Sequence, residues 1–520
     1  MRAGAAPIVR GHHVTFGRPS SSILVSTNGA AAHAKAHWEL ALNDQSKSPA
    51  IKAAEGARWS DPFKNGLALY TIMLNVGIGL HALDVFIIST VMPRVVHDLG
   101  GAHYYTWATM LYMVASIIGT AAGNPVRQML GSRLGYAVAA LVFGAGSAAC
   151  ALAPSMVLLL VARTIQGLGG GTMIALSMSL ISELFPPHLR KRVLALVSAA
   201  WGVASLLGPG IGGTFAYAGF WRGAFWINVP IVLLFVLACT RLPRKKPSDA
   251  EIRFPYLQLV LLTAGVAAVA MAGQVSQVAG QIGLLVVAAG AVALTIRLDH
   301  GTDNPMFPTH PLSLARPIGT ANWVMALSSV THTVIGAYLP LSMQVLHHVS
   351  DRAAGYAVTS LALSWTIASM TTSHIHGQAA MRSIVIGQAL CLIGLGGMAL
   401  AITDLPFAVI VALNAVVGFG LGSSNLHLVE ASMRHAPAGE QTTTAGAIPT
   451  IRSLGIAFGS AGAGVIANKA GLTDALAYQD VAHATKWVLS IGALAPLFAM
   501  LCAMRFVRMI NALPKTVAAD

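Results

Sequence analysis

Long apolar segments alternate with short polar connections over most of the chain, from about residue 65 to about residue 506. A helix that crosses the hydrocarbon core of a bilayer needs about 20 mostly apolar residues. By that rule we predict about fourteen transmembrane helices. Their expected ranges are 65–92, 103–124, 134–153, 155–184, 193–218, 223–242, 254–273, 277–297, 319–345, 353–373, 383–402, 406–432, 446–467 and 484–506. The pattern predicts an all-α polytopic membrane protein.

Composition supports this fold class. Of 520 residues, 55% are hydrophobic and only 10% are charged, whereas soluble domains carry about 25% charged residues. The first 64 residues differ from the rest, because they are polar and rich in Ser, His and basic residues. We expect residues 1–64 to form a disordered cytoplasmic tail, with an over-extended start or a targeting or regulatory role as the alternatives.

Positive charge is distributed unevenly between two alternating sets of connections. The formal net charge of +14 favours either a nucleic-acid partner or basic loops on one side of a membrane. One set of connections holds most of the charge: Arg190, Lys191, Arg192, the segment 241–253, Arg297, Arg316, Arg382, Arg434, Arg505 and Arg508. Cytoplasmic loops are enriched in Lys and Arg. We therefore expect no nucleic-acid partner and a multi-pass protein of the cell (cytoplasmic or inner) membrane with both termini cytoplasmic.

The two ends of the apolar region resemble each other weakly. The fifth predicted helix contains GVASLLGPGIGG and the thirteenth contains RSLGIAFGSAGAG. A duplicated six-helix unit leaves this kind of correspondence, and the seventh and eighth segments, which lack a counterpart, indicate an inserted pair. We expect a 6+2+6 organisation: an N-terminal six-helix bundle (65–242), an inserted pair with cytoplasmic linkers (243–318), a C-terminal six-helix bundle (319–510) and a cytoplasmic tail (511–520).

Four short motifs occur in a familiar order. They are LDVFIISTVMP (83–93), ARTIQGLGGG (162–171), LGPGIGG (207–213) and WRGAFWINVPI (221–231). Together they resemble the first-, fourth-, fifth- and sixth-helix motifs of the major facilitator superfamily, in its fourteen-helix drug:proton antiporter branch. The resemblance implies the fold of that superfamily and proton-coupled efflux of amphipathic or cationic small molecules by alternating access. An importer or facilitator of a small metabolite and a transporter-like membrane sensor are the alternatives.

Two charged residues lie deep inside predicted helices. Arg163 is about eight residues from one end of the fourth helix, hence ~12 Å deep at about 1.5 Å per residue, and Asp84 lies at a similar depth in the first. Burial disfavours a charged carboxylate and a nearby guanidinium favours it, so a change in water access or in the Asp–Arg distance would load and release a proton. A fixed ion pair that only joins two helices is the alternative. Because arginine stays protonated, Asp84 is the group expected to titrate.

Glycines follow Arg163 and recur in the fifth helix. The run from Gly167 to Gly171 lacks the Lys-Ser/Thr of a phosphate-binding loop and follows no predicted strand. Small residues let membrane helices approach closely, and proline breaks a helix locally. We expect packing positions at Gly167, Gly170, Gly208, Gly212 and Gly213, and a helix break at Pro209. The resemblance implies that the fifth-helix motif binds the other half and restricts leakage.

One connection departs from the family pattern. The superfamily's loop between its second and third helices normally reads Gly-x-Leu-Ala-Asp-Arg-x-Gly-Arg, whereas this chain has GNPVRQMLGSRLG at 123–135. With Gly131 aligned, Gln128 replaces the acid, and Arg127 and Arg133 carry the charge. The cytoplasmic lock centred on an aspartate is therefore in doubt.

Two further acidic residues lie at expected cytoplasmic helix ends. Glu183 is either a substitute partner for Arg127 or Arg190, or a solvated surface residue. Glu430 and Arg452 lie at the ends of two consecutive helices joined by a short loop, and we expect them to form a local pair.

Polar residues inside the predicted helices are candidates for a substrate cavity, although a lone histidine in a helix more often serves packing. The candidates are His81, Gln166, Asn228, His332, Tyr338 and Gln344. We expect no metal site, because the four cysteines lie singly in apolar runs. We expect no cofactor and no catalytic residue, because His374 and His376, the nearest candidates, do not share a helical face and have no acidic neighbour. The expected partners are a small-molecule substrate, protons and the lipid bilayer, with a periplasmic adaptor as an open alternative.

Overall fold

The structure, a computed structural model, describes residues 60–243, 255–272, 275, 277–300, 305–437, 440–472 and 476–512. Most of the expected tails, 1–64 and 511–520, and parts of 243–318 lie outside these ranges. Within them the chain is helical, with no strand. The helices are α1 (Ala68–Leu99), α2 (Trp107–Leu152), α3 (Met156–Leu184), α4 (Pro187–Tyr217), α5 (Gly223–Trp226), α6 (Asn228–Cys239), α7 (Tyr256–Ala272), α8 (Val278–Asp299), α9 (Pro317–Val345), α10 (Asp351–Thr372), α11 (Gly377–Ala401), α12 (Phe407–Arg434), α13 (Gln441–Lys469), α14 (Tyr478–Gly492) and α15 (Leu494–Ala512).

These helices form fourteen membrane-crossing units in the described part of the chain. Eleven stretches are long and apolar enough to cross a membrane, and Gly223–Cys239 and Tyr256–Ala272 are shorter apolar helices. The fourteenth is α10, which has 22 residues. In this count α2 supplies two crossings, while α5 with α6 and α14 with α15 supply one each. The prediction of fourteen helices is confirmed.

The two crossings of α2 are joined by a break at Gly131. Its backbone has φ 73° and ψ 168°, a region that only glycine adopts without strain. The helix resumes at once, so Arg133 lies in the first turn of the second arm. Gly131 is therefore the turning point of the connection between the second and third crossings.

Pro93 and Pro209 both lie inside helices. The predicted end of the first helix near Pro93 is too early, because α1 continues to Leu99. The predicted helix break at Pro209 is also wrong, because α4 runs through it to Tyr217. Membrane helices tolerate proline where neighbouring helices pack against the freed backbone. The carbonyl freed by the missing N–H of Pro209 is that of Ser205, four residues earlier. The neighbouring helix α10 packs along this stretch of α4, with Gly355 against the Pro209 carbonyl and Thr359 Oγ1 donating to the Leu206 carbonyl at 3.3 Å.

We call α1–α6 the N-terminal half and α9–α15 the C-terminal half. In the first, α3 packs along both arms of α2, and α1 packs against α4. In the second, α12 packs against α10 and α11, and α9 packs against α13. The halves meet where α4 packs against α10 and where α2 packs against α13. The inserted hairpin of α7 and α8 lies beside the latter contact, with α7 packed against both α2 and α13.

The bundle has two chemically different ends. The basic end is where α1, α4, α9 and α13 begin, and the opposite end is where they finish. At the opposite end one apolar cluster joins both halves, with Val91, Tyr105 and Tyr338 each at most 3% exposed. The Tyr105 hydroxyl donates to the Ala337 carbonyl at 3.0 Å, and Asn468 Nδ2 donates to the His103 carbonyl at 2.9 Å. We call this region, marked by these six residues, the seal.

Candidate transport site

Asp84 of α1 and Arg163 of α3 form a buried ion pair. Their side chains are 2% and 0% exposed, and Arg163 Nη1 donates to Asp84 Oδ2. Arg163 also donates from Nη1 to Gln166 Oε1 at 2.6 Å and from Nε to the Ala108 carbonyl at 3.3 Å. Its guanidinium carbon lies 4.1 Å from the centre of the Tyr112 ring, a cation–π distance. The two charged residues at similar predicted depth are thus in direct contact.

The second carboxylate oxygen of Asp84 is bonded to neutral side chains. Gln166 Nε2 donates to Asp84 Oδ1 at 2.7 Å and to Ser147 Oγ at 2.7 Å. Asn228 Nδ2 lies 3.5 Å from Asp84 Oδ1 and 3.3 Å from Ser147 Oγ. Arg163 and Gln166 are three residues apart and therefore share one face of α3. Gln166 and Asn228, expected in a substrate cavity, belong to the hydrogen-bonded shell of the pair.

This arrangement has a definite energetic consequence. A buried ion pair contributes little net stability, but removing one partner leaves an uncompensated charge, which costs about 3–5 kcal/mol. Arg163 has one buried nitrogen, Nη2, without a hydrogen-bond partner. Arg163 therefore depends on Asp84 for its compensation, and a neutral Asp84 would leave it with only neutral acceptors.

The glycine run on α3 brings its neighbours close to this pair. A Cβ added at Gly167 would lie 3.0 Å from the Cα of Tyr112, and one added at Gly169 would lie 2.7 Å from the Cα of Phe143. A Cβ added at Gly170 would lie 2.6 Å from His81 Nδ1. Real Cβ atoms do not approach so closely, so side chains here would push α3 away from α1 and α2. The glycines allow the close approach that small residues give membrane helices.

A chain of aromatic rings leads from the ion pair to the C-terminal half. The Tyr112 ring stacks on Arg163, and its hydroxyl is hydrogen-bonded to His81 Nδ1 at 2.9 Å. The His81 ring lies 5.9 Å from that of Trp201. Four rings continue across the interface, and we call them the aromatic bridge: Trp201, Phe86, His332 and Trp365. In this bridge Trp201 is 6.5 Å from Phe86, Phe86 is 6.0 Å from His332, and His332 is 6.3 Å from Trp365.

A cavity of about 310 Å³ lies between α1 and α4 on the basic-end side of the bridge. Its lining from α1 includes Ile72, Val76, Gly79 and Leu83. Spacings of three and four residues put these positions on the face of α1 that also carries Phe86. The cavity therefore extends from the basic end towards the aromatic bridge, and its lining is almost entirely apolar.

The remaining predicted cavity residues occupy different places. His332 is in the aromatic bridge, and His81, 3% exposed, lies between the bridge and the ion pair. Tyr338 is fully buried in the seal, where its ring is 5.5 Å from that of Tyr105; its size and position favour closure over cavity lining. Gln344 lies two residues from the end of α9 with a buried Nε2 that has no hydrogen-bond partner.

Two members of the bridge, Trp201 and Phe86, were not among the predicted cavity residues, although the sequence pattern gives an indication of each. Phe86 lies two residues after Asp84, within the first-helix motif. Trp201 lies seven residues before Gly208, and seven residues is two helical turns, so both occupy one face of α4. A Cβ added at Gly208 would lie 2.6 Å from the Cβ of Phe86, which confirms that this face of α4 packs on Phe86.

The other glycines of the fifth-helix motif face two different neighbours. A Cβ added at Gly212 would lie 2.8 Å from the Ile87 carbonyl oxygen of α1. One added at Gly213 would lie 2.6 Å from the Asp351 carbonyl oxygen of α10, in the other half. The motif therefore packs α4 against α1 within its half and against α10 across the interface.

The charges near the basic end are paired differently from one expectation. Glu430 bonds Arg434 on its own helix at 2.7 Å, whereas Arg452 Nη2 donates to Asn425 Oδ1. The expected Glu430–Arg452 pair is therefore not formed. Residue 430 is five positions from 425, which turns its side chain about 140° away from the face of α12 that meets Arg452.

Glu183 and Arg190 lie close together in sequence at the turn between α3 and α4. Glu183 Oε2 accepts a hydrogen bond from Ser132 Oγ at 3.1 Å, beside the break in α2. Arg190 Nε donates to the Phe185 carbonyl at 3.0 Å. These contacts tie the second arm of α2 to α3 and fix the turn that follows α3. The role of Glu183 as a substitute for the missing aspartate stays a prediction.

The chain is similar in sequence to a known protein family over most of its length. Residues 74–460 match the model of the Major Facilitator Superfamily. The chain belongs to this superfamily. Membership identifies a membrane transporter and not an enzyme. The inserted pair α7–α8 is consistent with the fourteen-helix branch.

Relatives within the superfamily are similar over most of their length. A protein of Mycobacterium tuberculosis named "Probable multidrug-efflux transporter" is 31% identical over 440 residues, which cover 80% of this chain and 91% of the relative. The multidrug transporter protein MdtP of Bacillus subtilis is 27% identical over 406 residues, covering 76% and 74%. Among solved structures, the D-xylose-proton symporter superposes with a TM-score of 0.58 at 17% identity, over 84% of this chain and 97% of that chain. The structural likeness shows the shared fold.

Proposed function

We propose that this protein exports amphipathic small molecules across the cell membrane in exchange for protons, as a member of the fourteen-helix drug:proton antiporter branch. The observation that carries the proposal is the buried network of Asp84, Arg163 and Gln166, placed beside an aromatic bridge that joins both halves. Asp84 is the proton-binding group and Arg163 its partner. The names of the relatives, multidrug transporters in both bacteria, support efflux of drug-like compounds.

The orientation follows from charge. The basic end faces the cytoplasm because positive loops are retained there, so both termini are cytoplasmic. The seal then closes the outer side and the apolar cavity opens inwards, as expected of a conformation that takes up substrate from the cytoplasm. The six-helix halves, 65–242 and 319–510, rock about the interface between α4 and α10 and between α2 and α13. Substrate binds in the cavity beneath the aromatic bridge.

Proton coupling arises from competition for Arg163. With Asp84 ionised, the pair and its shell hold α1 and α3 together. A proton that reaches Asp84 when the outer side is open removes the charge and weakens the contact with Arg163. At about 150 mV, one proton that enters the cell releases roughly 3.5 kcal/mol from the voltage alone, at ~2.3 kcal/mol per 100 mV. That is sufficient for a substrate gradient of several hundredfold at 1:1 exchange with a neutral substrate.

The test replaces Asp84 with asparagine, which keeps the shape and removes the titrating group. Purified wild-type protein and Asp84→Asn are placed in liposomes with an imposed pH gradient, and movement of a fluorescent amphiphile is followed. We expect the wild type to respond to the gradient and Asp84→Asn to lose at least nine-tenths of that response, on the order of 1.4 kcal/mol or more. The matched control is Asp404→Asn, at an exposed position in a connection. A full response of Asp84→Asn would refute the assignment.

A further inference from the structure

We propose that Arg452 binds an anionic group of the substrate, so that the compounds carried include aromatic amphiphiles with a carboxylate or a comparable anion. The transport part of this inference rests on the proposed function, whereas the binding part does not. The observations that carry it are the single neutral partner of Arg452, its place on the inter-half face, and the absence of a free acid around it in the described helix interiors.

Arg452 is a half-buried cation with a single hydrogen bond among the described residues. Its Nη2 donates to Asn425 Oδ1. An arginine carries five N–H donors arranged to hold a carboxylate with two parallel bonds, and one amide oxygen satisfies only one of them. Burying a cation without a carboxylate is costly. Arg452 therefore has donors and charge left for a ligand.

The partner of Arg452 faces the space between the halves. Asn425 lies three residues after Gly422, whose missing side chain lets α12 touch the backbone of Trp365 on α10. It lies three residues before Leu428, which packs with Met325 of α9. Asn425 is thus between the α10-facing and α9-facing stripes of α12. Because α9 and α10 carry His332 and Trp365 of the bridge, the gap between them faces the aromatic bridge where the two halves meet.

The depth of Arg452 relative to the bridge follows from a second contact. Gln388 Nε2 donates to Ser328 Oγ at 3.0 Å and to Ser424 Oγ at 2.9 Å, so these two serines lie at one level. Ser328 precedes His332 by four residues, about 6 Å along α9 at ~1.5 Å per residue, and Asn425 directly follows Ser424. Measured along the helix axes, the guanidinium is therefore about 6–8 Å from the bridge towards the basic end.

The described interior offers an organic cation no comparable partner. Asp84 is the one acid deep inside the described helices, and Arg163 and Gln166 already occupy its oxygens. Every other described acid lies in a connection or within about four residues of a helix end: Asp61, Asp98, Glu183, Asp299, Asp351, Asp404, Glu430, Glu440 and Asp480. With Asp84 neutralised, Arg452 gives the space between the halves a positive potential, which attracts anions and zwitterions and repels simple cations.

The test compares two dyes that differ only at one group: a rhodamine methyl ester, which is a cation, and the corresponding free acid, which adds a carboxylate. Binding to purified protein in detergent is measured by fluorescence anisotropy for wild type, Arg452→Gln and Arg452→Lys. The control is Arg434→Gln, whose side chain is 65% exposed near the same end. A charge-assisted hydrogen bond corresponds to about tenfold or more in affinity.

We expect Arg452→Gln to weaken binding of the free acid about tenfold while the ester changes less than twofold, Arg452→Lys to fall between, and Arg434→Gln to match the wild type. Equal losses for both dyes would show a purely structural role and overturn the inference, as would an unchanged affinity for the acid. The binding measurement is repeated with phosphatidylglycerol added, to test whether a lipid headgroup is the anion. If this lipid competes with the dyes in the wild type alone, and Arg452→Gln does not discriminate between acid and ester, the anion belongs to the membrane and the inference is overturned.

Transport in liposomes separates this inference from the proposed function. If the pH gradient drives movement of the ester but the affinity for the acid does not depend on Arg452, only the anion site is refuted. Discrimination between the dyes in binding, without any Asp84-dependent response to the gradient, would refute proton-coupled export and leave the anion site intact.

Discussion

The contact between Gly213 and α10 gives the sharpest test of how the two halves close. We consider Gly213→Ala, which adds one methyl group at the seam between α4 and α10. The new Cβ would lie 2.6 Å from the Asp351 carbonyl oxygen and 3.3 Å from the Cα atoms of Arg352 and Gly355, whereas ordinary contact begins at 3.4 Å. The difference, 3.4 minus 2.6, requires the helices to part by about 0.8 Å.

That displacement has an estimated free-energy cost. Overpacking of a well-packed interface by a methylene-sized group costs about 1–3 kcal/mol, which is about 5- to 150-fold in an equilibrium between two conformations. The cost arises only while the two helices touch, so it falls on the conformation in which the seal is closed. We therefore expect Gly213→Ala to shift the population towards a conformation open at the opposite end by roughly that factor.

The assay reports exposure of the seal. Val91, which is 0% exposed, is replaced by cysteine in a background without the four native cysteines, and labelling by a membrane-impermeant maleimide is followed from outside the cell. Gly213→Ala should label at least about fivefold faster and export more slowly. Gly202→Ala is the matched control, because a Cβ added at Gly202 on the same helix has nothing within 4 Å. Equal labelling of the two variants would refute the reasoning.

Two further predictions concern the ion pair and the opposite end of the bundle. Arg163→Ala should abolish proton-coupled movement of substrate, because it leaves Asp84 buried and unpaired at a cost of about 3–5 kcal/mol, whereas Arg163→Lys should keep part of this movement, since lysine retains the charge without the fork geometry. Initial rates of transport in liposomes test this, and wild-type rates in Arg163→Ala would mean that the ion pair is only structural. Trp221→Phe should lower the melting temperature by about 1–3 °C, because Nε1 of Trp221 donates to Asp98 Oδ2 at 2.8 Å and such a bond contributes about 0.5–1.5 kcal/mol. Trp226→Phe, at a position 37% exposed, should lower the melting temperature less, and a larger decrease in Trp226→Phe than in Trp221→Phe would contradict this account.

The fold was largely predictable because a bilayer demands long apolar helices with internally satisfied backbones. Apolar run length alone located most helices to within a few residues, α3 among them: predicted as 155–184 and observed as Met156–Leu184. Pro209 was misread because a local rule for helix breaking gave no weight to α10, the neighbouring helix that packs along this part of α4. The break at Gly131 needed a backbone conformation that composition does not reveal.

The candidate site was predictable in its charged centre and less so around it. Similar depths in two helices made a contact between Asp84 and Arg163 plausible, and the structure contains it. Helix rotation was not available from depth alone, so Gln166 and Asn228 were assigned to a cavity, although they point at the carboxylate. For the same reason Arg452 was paired with Glu430, which lies five residues from its actual partner Asn425 and on a different face of α12. Lateral neighbours across a bundle depend on tertiary packing, which periodicity does not encode.

The position of α7 has a consequence for solutes dissolved in the bilayer. A bundle of two halves has two vertical crevices through which a lipophilic molecule can slip sideways from the acyl chains. On one flank α7 packs against α2 and α13, and Leu259, Leu262 and Val266 of α7 line a small apolar space together with Val114 and Ile117 of α2 and Leu454 of α13. The inserted hairpin therefore covers this flank, and the two flanks are unequal for a solute that approaches from the acyl chains.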